Sequence, residues 1–471
     1  MPDSAITHAP GVFAPGHLGE LTQVVPFELV DEALARAGGR ERRLRRLPSR
    51  VVVYLLLAGA LFESMGWAQV WSRVTASLPD PPRAPAGSSI TAAMRRVGSR
   101  PVKALFDLVK GPVAVVAAPQ VVRFAGRLVA AVDGTQIPLP DTVANKVVFR
   151  KPRPGPNGQA GYPMLRLVTL MACGTRSLLD AVFGTDRIGE LTYAGRLTDA
   201  MGPGMLVLAD RNFAATGFIG AVAATGADFL IRAKTHTTAL ALPVLRRLDD
   251  GTFLSRIGGV KVRVIDATIT VTVKDPDSNS DPDSDGDGDG DRCEQHLYRL
   301  VTNLLDPAEA SALDLVRLYH ERWEIEISYF ELKSTILAGR VLRSRHPDAV
   351  AQELWALLVV YQVLRTAMAD ALLHRPEIDP DRACFTIALN TARDQIIRAD
   401  RILTGTRVDL VGRIGAAILD RLQPARRPRT HARAIKRAIS KYRAKSRNID
   451  RRTHPTSIHF AISPLPPQPD G

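Results

Sequence analysis

Apolar residues in the first quarter of the chain recur with the spacing of amphipathic helices. Residues 27–37 run into the glycine pair Gly38-Gly39, which suits the end of a helix, and a basic stretch then leads into the apolar run 51–62. A proline-rich linker at 78–89 precedes two short basic segments, one at 90–98 and one that begins after Pro101. This pattern predicts a helical N-terminal region.

The turn between those two basic segments contains glycine, as in a helix-turn-helix. Arg95, Arg96 and Arg100 lie at this turn and would contact DNA if the two helices read it. A plain helical bundle explains the same pattern equally well, so both interpretations stand at this point.

Further along the chain, the apolar period changes to that of strands. An apolar strand is expected at 126–140 and a hairpin over 164–184, followed by a helix at 190–201. A short apolar run then stops at Asp210, and a helix and another strand follow. Strands with helices between them predict a mixed α/β sheet.

From residue 237 to 303 the chain consists of short segments with strand-like alternation, which predicts an all-β insertion in the α/β domain. Its polar tract, 274–292, is expected to be a solvated loop. The acids in this tract have the spacing of a calcium-binding loop, but a Gly-Asp repeat produces such spacing by chance. A long helix is predicted over 307–336, with Asp306 as its N-cap.

The charge balance points to a polyanionic partner. The chain has 471 residues and a formal net charge of +14, from 62 Lys and Arg against 48 Asp and Glu. Its three cysteines lack CxxC spacing, and its N-terminus has no basic segment followed by an apolar stretch. The apolar run 354–373 carries Arg365 and Asp370, so we expect a buried helix. These features favour a nucleic-acid-binding protein of the cytoplasm, with no role for a membrane.

Two aspartates follow directly on apolar runs that should be buried. Asp133 follows LVAAV and Asp210 follows MLVLA, so each is predicted to lie at the carboxyl edge of a strand, where a cleft opens. Cleavage of a phosphodiester by two metal ions requires carboxylates that converge from separate elements. A turn or helix-cap aspartate is the alternative explanation for each residue alone.

The predicted helix over 307–336 carries a third acid within one polar stripe. At about 100° per residue, four side chains project within an arc of about 60°. They are Tyr319, Arg322, Glu326 and Lys333. The stripe offers one carboxylate, two cations and a phenol, which suits a metal ligand with phosphate-binding neighbours. An exposed (i, i+4) ion pair between Arg322 and Glu326 is the alternative.

The spacing Tyr-x2-Arg-x3-Glu-x6-Lys resembles the motif of one branch of the DDE transposases, the insertion-sequence-four family. The segments VDGTQIPLP, around Asp133, and LADRNF, around Asp210, are also similar to that family. The resemblance covers roughly residues 27–420. A DNA-binding protein that has lost catalysis and a stand-alone metal-dependent nuclease are the alternatives.

The resemblance implies an α/β fold with a ribonuclease H-like catalytic domain that carries the β insertion. It implies cut-and-paste transposition through a hairpin intermediate, with two Mg²⁺ ions, for which Mn²⁺ can substitute, held by Asp133, Asp210 and Glu326. Tyr319, Arg322 and Lys333 would hold DNA phosphates. The partners would be double-stranded DNA, as terminal inverted repeats and target, and a second copy of the chain in a synaptic complex.

These expectations divide the chain into seven parts. They are a flexible tail at 1–26, a helical DNA-binding domain at 27–120, the first part of the catalytic domain at 121–236, the β-rich insertion at 237–303, the Glu-bearing helix at 304–345, a C-terminal helical region at 346–422 and a basic tail at 423–471. The basic tail is predicted to bind the DNA backbone, and a solvated surface helix is the alternative.

Overall fold

A computed structural model describes most of the chain. The described residues are 18–39, 45–76, 78, 81–113, 122–154, 161–235, 240–273, 292–398, 411–424, 429–430 and 454–463. The acidic tract predicted to be a loop and nearly all of the basic stretch 425–453 lie outside these residues, as does most of the predicted flexible tail.

The N-terminal segment is helical, as its apolar spacing predicts. Its helices are α1 (Phe27–Arg36), α2 (Ser49–Leu61), α3 (Trp67–Thr75), α4 (Gly87–Val97) and α5 (Arg100–Val109). Helix α2 is buried along nearly its whole length because it has apolar residues on all sides. Helix α4 packs chiefly against α2 and α3, and α5 packs against α1 and a later helix of the chain. This packing is that of a helical bundle.

A large mixed sheet forms the centre of the protein. Its strands are β1 (Arg123–Phe124), β2 (Arg127–Pro138), β3 (Met164–Ala172), β4 (Leu178–Thr185), β5 (Met205–Ala209), β6 (Asp228–Ala233), β7 (Arg246–Arg247), β8 (Phe253–Ile257), β9 (Val260–Val273), β10 (Arg292–Thr302), β11 (Arg429–Thr430) and β12 (His454–Ile462). The order along the sheet is β11-β12-β9-β10-β6-β5-β2-β3-β4. Strand β2 pairs in parallel with β5, and β5 with β6, whereas β2, β3 and β4 form an antiparallel meander. The predicted hairpin over 164–184 is therefore confirmed.

The β-rich insertion extends the same sheet. Strand β10 pairs antiparallel with β6 at one side and with β9 at the other. Strand β12, near the end of the chain, pairs antiparallel with β9. The sequence analysis treated 423–471 only as a basic tail and missed this strand, because its alternating residues gain their partner from a segment almost two hundred residues earlier.

Both faces of the sheet are covered. Along β2, Val129 and Ala131 belong to the larger core, which includes the N-terminal helices, and Ala130 and Val132 belong to a second core on the opposite face. Successive residues of a strand point to opposite faces, so a continuous apolar run fits a strand that is buried on both. The remaining helices on these faces are α6 (Val143–Val148), α7 (Glu190–Ala194), α8 (Thr216–Ala224), α9 (Ala312–Tyr319), α10 (Trp323–Phe330), α11 (Pro347–Leu372), α12 (Phe385–Arg398) and α13 (Gly412–Asp420).

Helix α11 is the one described helix that is long and apolar enough to cross a membrane. Most of its apolar window is buried inside the protein, where it packs against α2, α5 and α13. The buried helix expected over 354–373 is thus observed in the core.

The helix predicted over 307–336 is broken into four pieces. Ser311, and not Asp306, is the N-cap, since its side chain accepts a hydrogen bond from the backbone of Asp314. Helix α9 is followed by a 3-10 turn at His320–Arg322, then by α10 and by a π-helical turn at Glu331–Ile336. The interruptions change which side chains share a face, so a uniform rotation of 100° per residue is only approximate here.

Candidate active site

The two predicted aspartates lie next to each other on neighbouring parallel strands. The last paired residues of β2 and β5 are Val132 and Ala209, so Asp133 and Asp210 occupy the next position of each chain. Strands in a sheet lie about 4.8 Å apart, which brings the two carboxylates to one edge. Asp133 does not end its strand as predicted: β2 continues to Pro138 because β3 still pairs with it.

Glu326 is joined to Asp133 through one arginine. In α10, the Glu326 Oε1 lies 3.1 Å from Arg322 Nη2, and Asp133 Oδ2 lies 3.7 Å from Arg322 Nη1. The side chain of Glu326 is 41% exposed, whereas that of Asp133 is 17% exposed. The guanidinium thus lies between the first and third predicted acids and neutralises both.

Arg322 itself is largely buried, with its guanidinium over the rings of Trp323 and Tyr319 at 5.3 Å and 6.0 Å. Its Nε is buried and has no hydrogen-bond partner among the described residues. A buried donor without a partner is costly, and an anion such as a phosphate oxygen would satisfy it.

Two tyrosines tie the helical segment to the strands that bear the aspartates. The hydroxyl of Tyr319 donates to the backbone oxygen of Ala209 at 3.1 Å, and that of Tyr329 donates to the backbone oxygen of Asp133 at 2.5 Å. Both tyrosines are buried. The sequence pattern did not single out Tyr329, because no local spacing signals the contact of its hydroxyl with β2.

The remaining motif residue, Lys333, lies in the π-helical turn, and its Nζ donates to Thr135 Oγ1 at 2.7 Å. Asn212, two residues after the second aspartate, is also part of the site. Asn212 donates from its backbone to Asp210 Oδ1 at 2.8 Å and from its side-chain amide to Oδ2 at 3.3 Å. These bonds fix the orientation of the Asp210 carboxylate.

A fourth carboxylate, which the sequence analysis did not identify, lies at the same edge. Glu190 is the first residue of α7 and lies directly over Gly134, where a Cβ would come within 1.9 Å of its Oε1. Burial raises the pKa of Glu190, and the nearby Asp210 raises it further. The absence of a side chain at Gly134 permits this close approach. Because Glu190 and Gly134 are far apart in the sequence, no local pattern predicts their contact.

The electrostatics of the site centre on Asp133. Burial raises its pKa to about 7, and the charges of Asp210 and Glu190 act in the same direction, while the Gly134 N–H and Arg322 lower it. A carboxyl group in this environment releases its proton to solvent near neutral pH, and a bound cation would favour that release.

The geometry fits a metal site in its donor chemistry. Asp133, Asp210 and Glu326 offer the hard oxygen donors that Mg²⁺ prefers, and Asn212 orients one of them. Within the described part of the chain, no three Asp, Glu, His or Cys side chains lie close enough together to hold an ion. Arg322 lies between two of the predicted acids, at 3.7 Å from Asp133 and 3.1 Å from Glu326.

A cavity of about 550 Å³ opens beside Asp210 and Arg322. Strand β10 contributes His296 and Tyr298 to it, so the β insertion forms one wall of this cavity, which Asp210 lines and Asp133 and Glu326 do not. Cationic and aromatic side chains dominate the lining; besides those named, they include Arg211, Arg232, Tyr319, His320 and Trp323. This composition suits a nucleic-acid strand, whose phosphates pair with cations and whose bases stack on rings.

The N-terminal candidates lie apart from this cavity. Arg95 and Arg100 are exposed, and Arg96 donates to the backbone oxygen of Leu47 at 2.5 Å. Arg95 lines a second cavity, of about 660 Å³, together with Arg345.

Two family models match the chain. The model for the insertion element 4 transposase N-terminal region covers residues 15–107, and that for the transposase DDE domain covers residues 124–363. The chain belongs to the insertion-sequence-4 family of DDE transposases. The predicted family is thereby confirmed, and the protein is a DNA-cleaving enzyme of transposition.

Known relatives agree with this assignment. The transposase InsG for insertion sequence element IS4 of Escherichia coli strain K12 is 26% identical over 418 residues, which are 88% of this transposase and 91% of InsG. The putative transposase InsZ of the same strain is 26% identical over 193 residues, covering 40% of this chain and 62% of InsZ. The piggyBac transposase, solved in a synaptic complex with hairpin DNA, covers 86% of each chain at 10% identity and a TM-score of 0.42, too low to support an argument.

Proposed function

We propose that this transposase cuts its element from flanking DNA and joins it to a target, with Asp133, Asp210 and Glu326 as the catalytic acids. The observation that supports this proposal is twofold: Asp133 and Asp210 follow the last paired residues of two neighbouring parallel strands, and Arg322 contacts both Asp133 and Glu326. The strand order β4-β3-β2-β5-β6, with parallel pairing from β2 to β6, supports a ribonuclease H-like domain.

The three acids would hold Mg²⁺, with Mn²⁺ as a substitute, in a two-ion site. When bound, the ions supply activation of the attacking oxygen and stabilisation of the leaving oxygen. Asp133 must be ionised for this task; burial raises its pKa to about 7, and a bound cation would lower it. Asn212 holds the Asp210 carboxylate in one orientation, and Tyr329 anchors β2 at Asp133.

The DNA strand would enter the cavity beside Asp210. Arg322, which lines this cavity, would contact a phosphate of the cleaved strand, and Lys333 would contact a neighbouring phosphate. Tyr319 was predicted to contact phosphate as well. Its buried hydroxyl, already bonded to Ala209, makes it better suited to holding the strand that bears Asp210.

The N-terminal helices, at 27–120, would bind the terminal inverted repeats, with exposed Arg95 and Arg100 as contacts and Arg96 nearby. The basic tail would add affinity for the DNA backbone. Cut-and-paste movement requires both ends of the element, so we propose a homodimeric synaptic complex and a hairpin intermediate at each end. The enzyme would act in the bacterial cytoplasm at the nucleoid.

The test uses the purified full chain, Mg²⁺ and a DNA fragment that carries the element's own ends. Wild-type protein is expected to nick, form hairpins that denaturing gels resolve, and release the element. Asp133→Ala, Asp210→Ala and Glu326→Ala should each abolish nicking and retain DNA binding in a gel-shift assay. Asp420→Ala, at a side chain that is 79% exposed, is the matched control and should nick normally.

Each alternative outcome has a separate meaning. Normal nicking by Glu326→Ala would refute the assignment of the third acid. Wild-type protein that binds the ends without cutting them would support the DNA-binding alternative, and cutting without joining would support the nuclease alternative.

A further inference from the structure

A buried network of charged residues lies beneath the helix that carries Glu326. It joins the turn between β3 and β4 to α10, to the π-helical turn, to the 3-10 turn at Pro380–Arg382 and to α11. Its members are Arg176, Glu324, Glu331, Arg365 and Asp381. The proposed catalytic role of Glu326 uses none of these side chains directly.

Arg176 holds three acids at once. Its Nε donates to Glu324 Oε2, its Nη2 to Asp381 Oδ1, and its Nη1 lies 3.4 Å from Glu331 Oε1. The side chain of Arg176 is 8% exposed and that of Glu324 is 1% exposed. A charge buried to this degree is tolerated only with a partner, so each of these groups depends on the others.

The two glutamates flank Glu326 along the chain. Glu324 and Glu331 are seven residues apart, about two helical turns, which puts both on the face toward Arg176. Glu326 follows Glu324 by two residues, about 200° around the helix, and therefore projects from the other side. Because the helix is rigid along its axis, fixing the buried face also fixes the direction of Glu326.

The opposite end of the network is fixed as well. Arg365 donates from Nη2 to Glu331 Oε2, and the Tyr361 hydroxyl donates to the same oxygen at 3.2 Å. Glu331 is also where the regular helix gives way to the π-helical turn that bears Lys333. The network thus determines the position of two motif residues.

The backbone at Arg176 is a second, independent observation. Its φ is +55°, in the left-handed region where glycine is favoured and side chains are strained. This conformation costs an arginine more than a glycine, and the ion pairs of the Arg176 side chain offset that cost. Strain held at one residue by its surroundings is typical of a functional constraint.

We propose that Arg176 is a positioning residue of the catalytic centre, which sets the placement of Glu326 relative to β2 through Glu324 and Glu331. This proposal rests on the proposed role of Glu326. Strand β3, which leads into the Arg176 turn, pairs directly with the Asp133 segment of β2. Arg176 therefore connects the strand pair that holds the first acid to the helix that holds the third.

The test compares Arg176→Met with Arg263→Met in the full chain. Arg263, in β9, is a matched control: it is 0% exposed, and its guanidinium pairs with Asp250 and with the backbone oxygen of Ala310 and makes no bond to α10 among the described residues. Both variants should lower the thermal midpoint. Only Arg176→Met should slow single-turnover nicking per folded molecule, by about ten- to a hundred-fold, and raise the Mg²⁺ concentration for half-maximal nicking. DNA affinity should be unchanged in both.

Two further variants keep the test decisive if Arg176→Met folds poorly. Arg176→Met combined with Glu324→Gln removes the most deeply buried charge that the loss of Arg176 exposes, and Glu331 keeps Arg365 as a partner. Stability should therefore recover in part while the Mg²⁺ requirement stays raised. Arg176→Lys keeps one cation and should give an intermediate rate. Wild-type rate and Mg²⁺ dependence in a folded Arg176 variant would overturn the positioning role, whereas failure of the wild-type protein to nick would overturn the proposed function instead.

Discussion

Replacing the acid Asp133 with its amide is expected to stabilise this transposase at neutral and higher pH. Asp133→Asn keeps an oxygen that can accept the hydrogen bond from the Gly134 N–H, which lies 2.8 Å from Asp133 Oδ1 in the wild type. The change removes the negative charge of a side chain that is 17% exposed and lies near Asp210 and Glu190. Catalytic groups are often held at a cost in stability, so removing one can strengthen the fold.

The magnitude follows from the ionisation of the buried carboxyl. A rise of its pKa from 3.8 to about 7 corresponds to about 4 kcal/mol, since each tenfold change in an equilibrium is worth about 1.4 kcal/mol. The folded state of the wild type binds the proton more tightly than the unfolded state. The contribution of the Asp133 carboxyl to the free energy of unfolding is therefore fully present below pH 4 and is lost as the pH rises through about 7.

The assay is thermal unfolding of both proteins in EDTA at pH 5 and pH 8. We expect the advantage of Asp133→Asn to be on the order of 1–4 kcal/mol at pH 8, seen as a rise of several degrees, and to shrink at pH 5. Asp420→Asn, at a side chain that is 79% exposed, should show no such pH-dependent gain. An advantage that is absent at pH 8, or larger at pH 5, would refute the electrostatic reasoning.

Three further predictions concern the acids and one glycine. Glu190→Gln removes a charge that raises the pKa of Asp133, so the acid limb of the pH–rate profile for nicking should move to lower pH; an unmoved limb contradicts this. Mg²⁺ should raise the thermal midpoint of wild-type protein at pH 8 more than that of Asp133→Asn, and equal shifts would count against Asp133 as a ligand. Gly412→Ala should lower the thermal midpoint much more than Gly38→Ala does. Both glycines have a positive φ, but only a Cβ at position 412 would meet another side chain, Glu20 Oε1 at 1.1 Å. Equal decreases in the midpoint would mean that backbone strain alone acts.

The sequence by itself determined the family and predicted three acids as its catalytic centre. Asp133 and Asp210 were predicted because an ionisable group directly after a buried apolar run is costly and so is informative. Glu326 was predicted because its neighbours Arg322 and Lys333 recur at a helical spacing. The same local patterns gave the helical N-terminal segment and the mixed sheet, since both depend on periods that lie within a dozen residues.

Only the tertiary structure decided how those groups meet. Arg322 lies between two of the acids, and Glu190 reaches the site over Gly134, through contacts between segments that no local period connects. The buried network around Arg176 was equally hidden, because Glu324 and Glu331 look like surface acids until a distant arginine neutralises them. Burial and ion pairing depend on the tertiary structure. The sequence pattern can therefore indicate which charged groups need a partner, but it does not predict which residue that partner is.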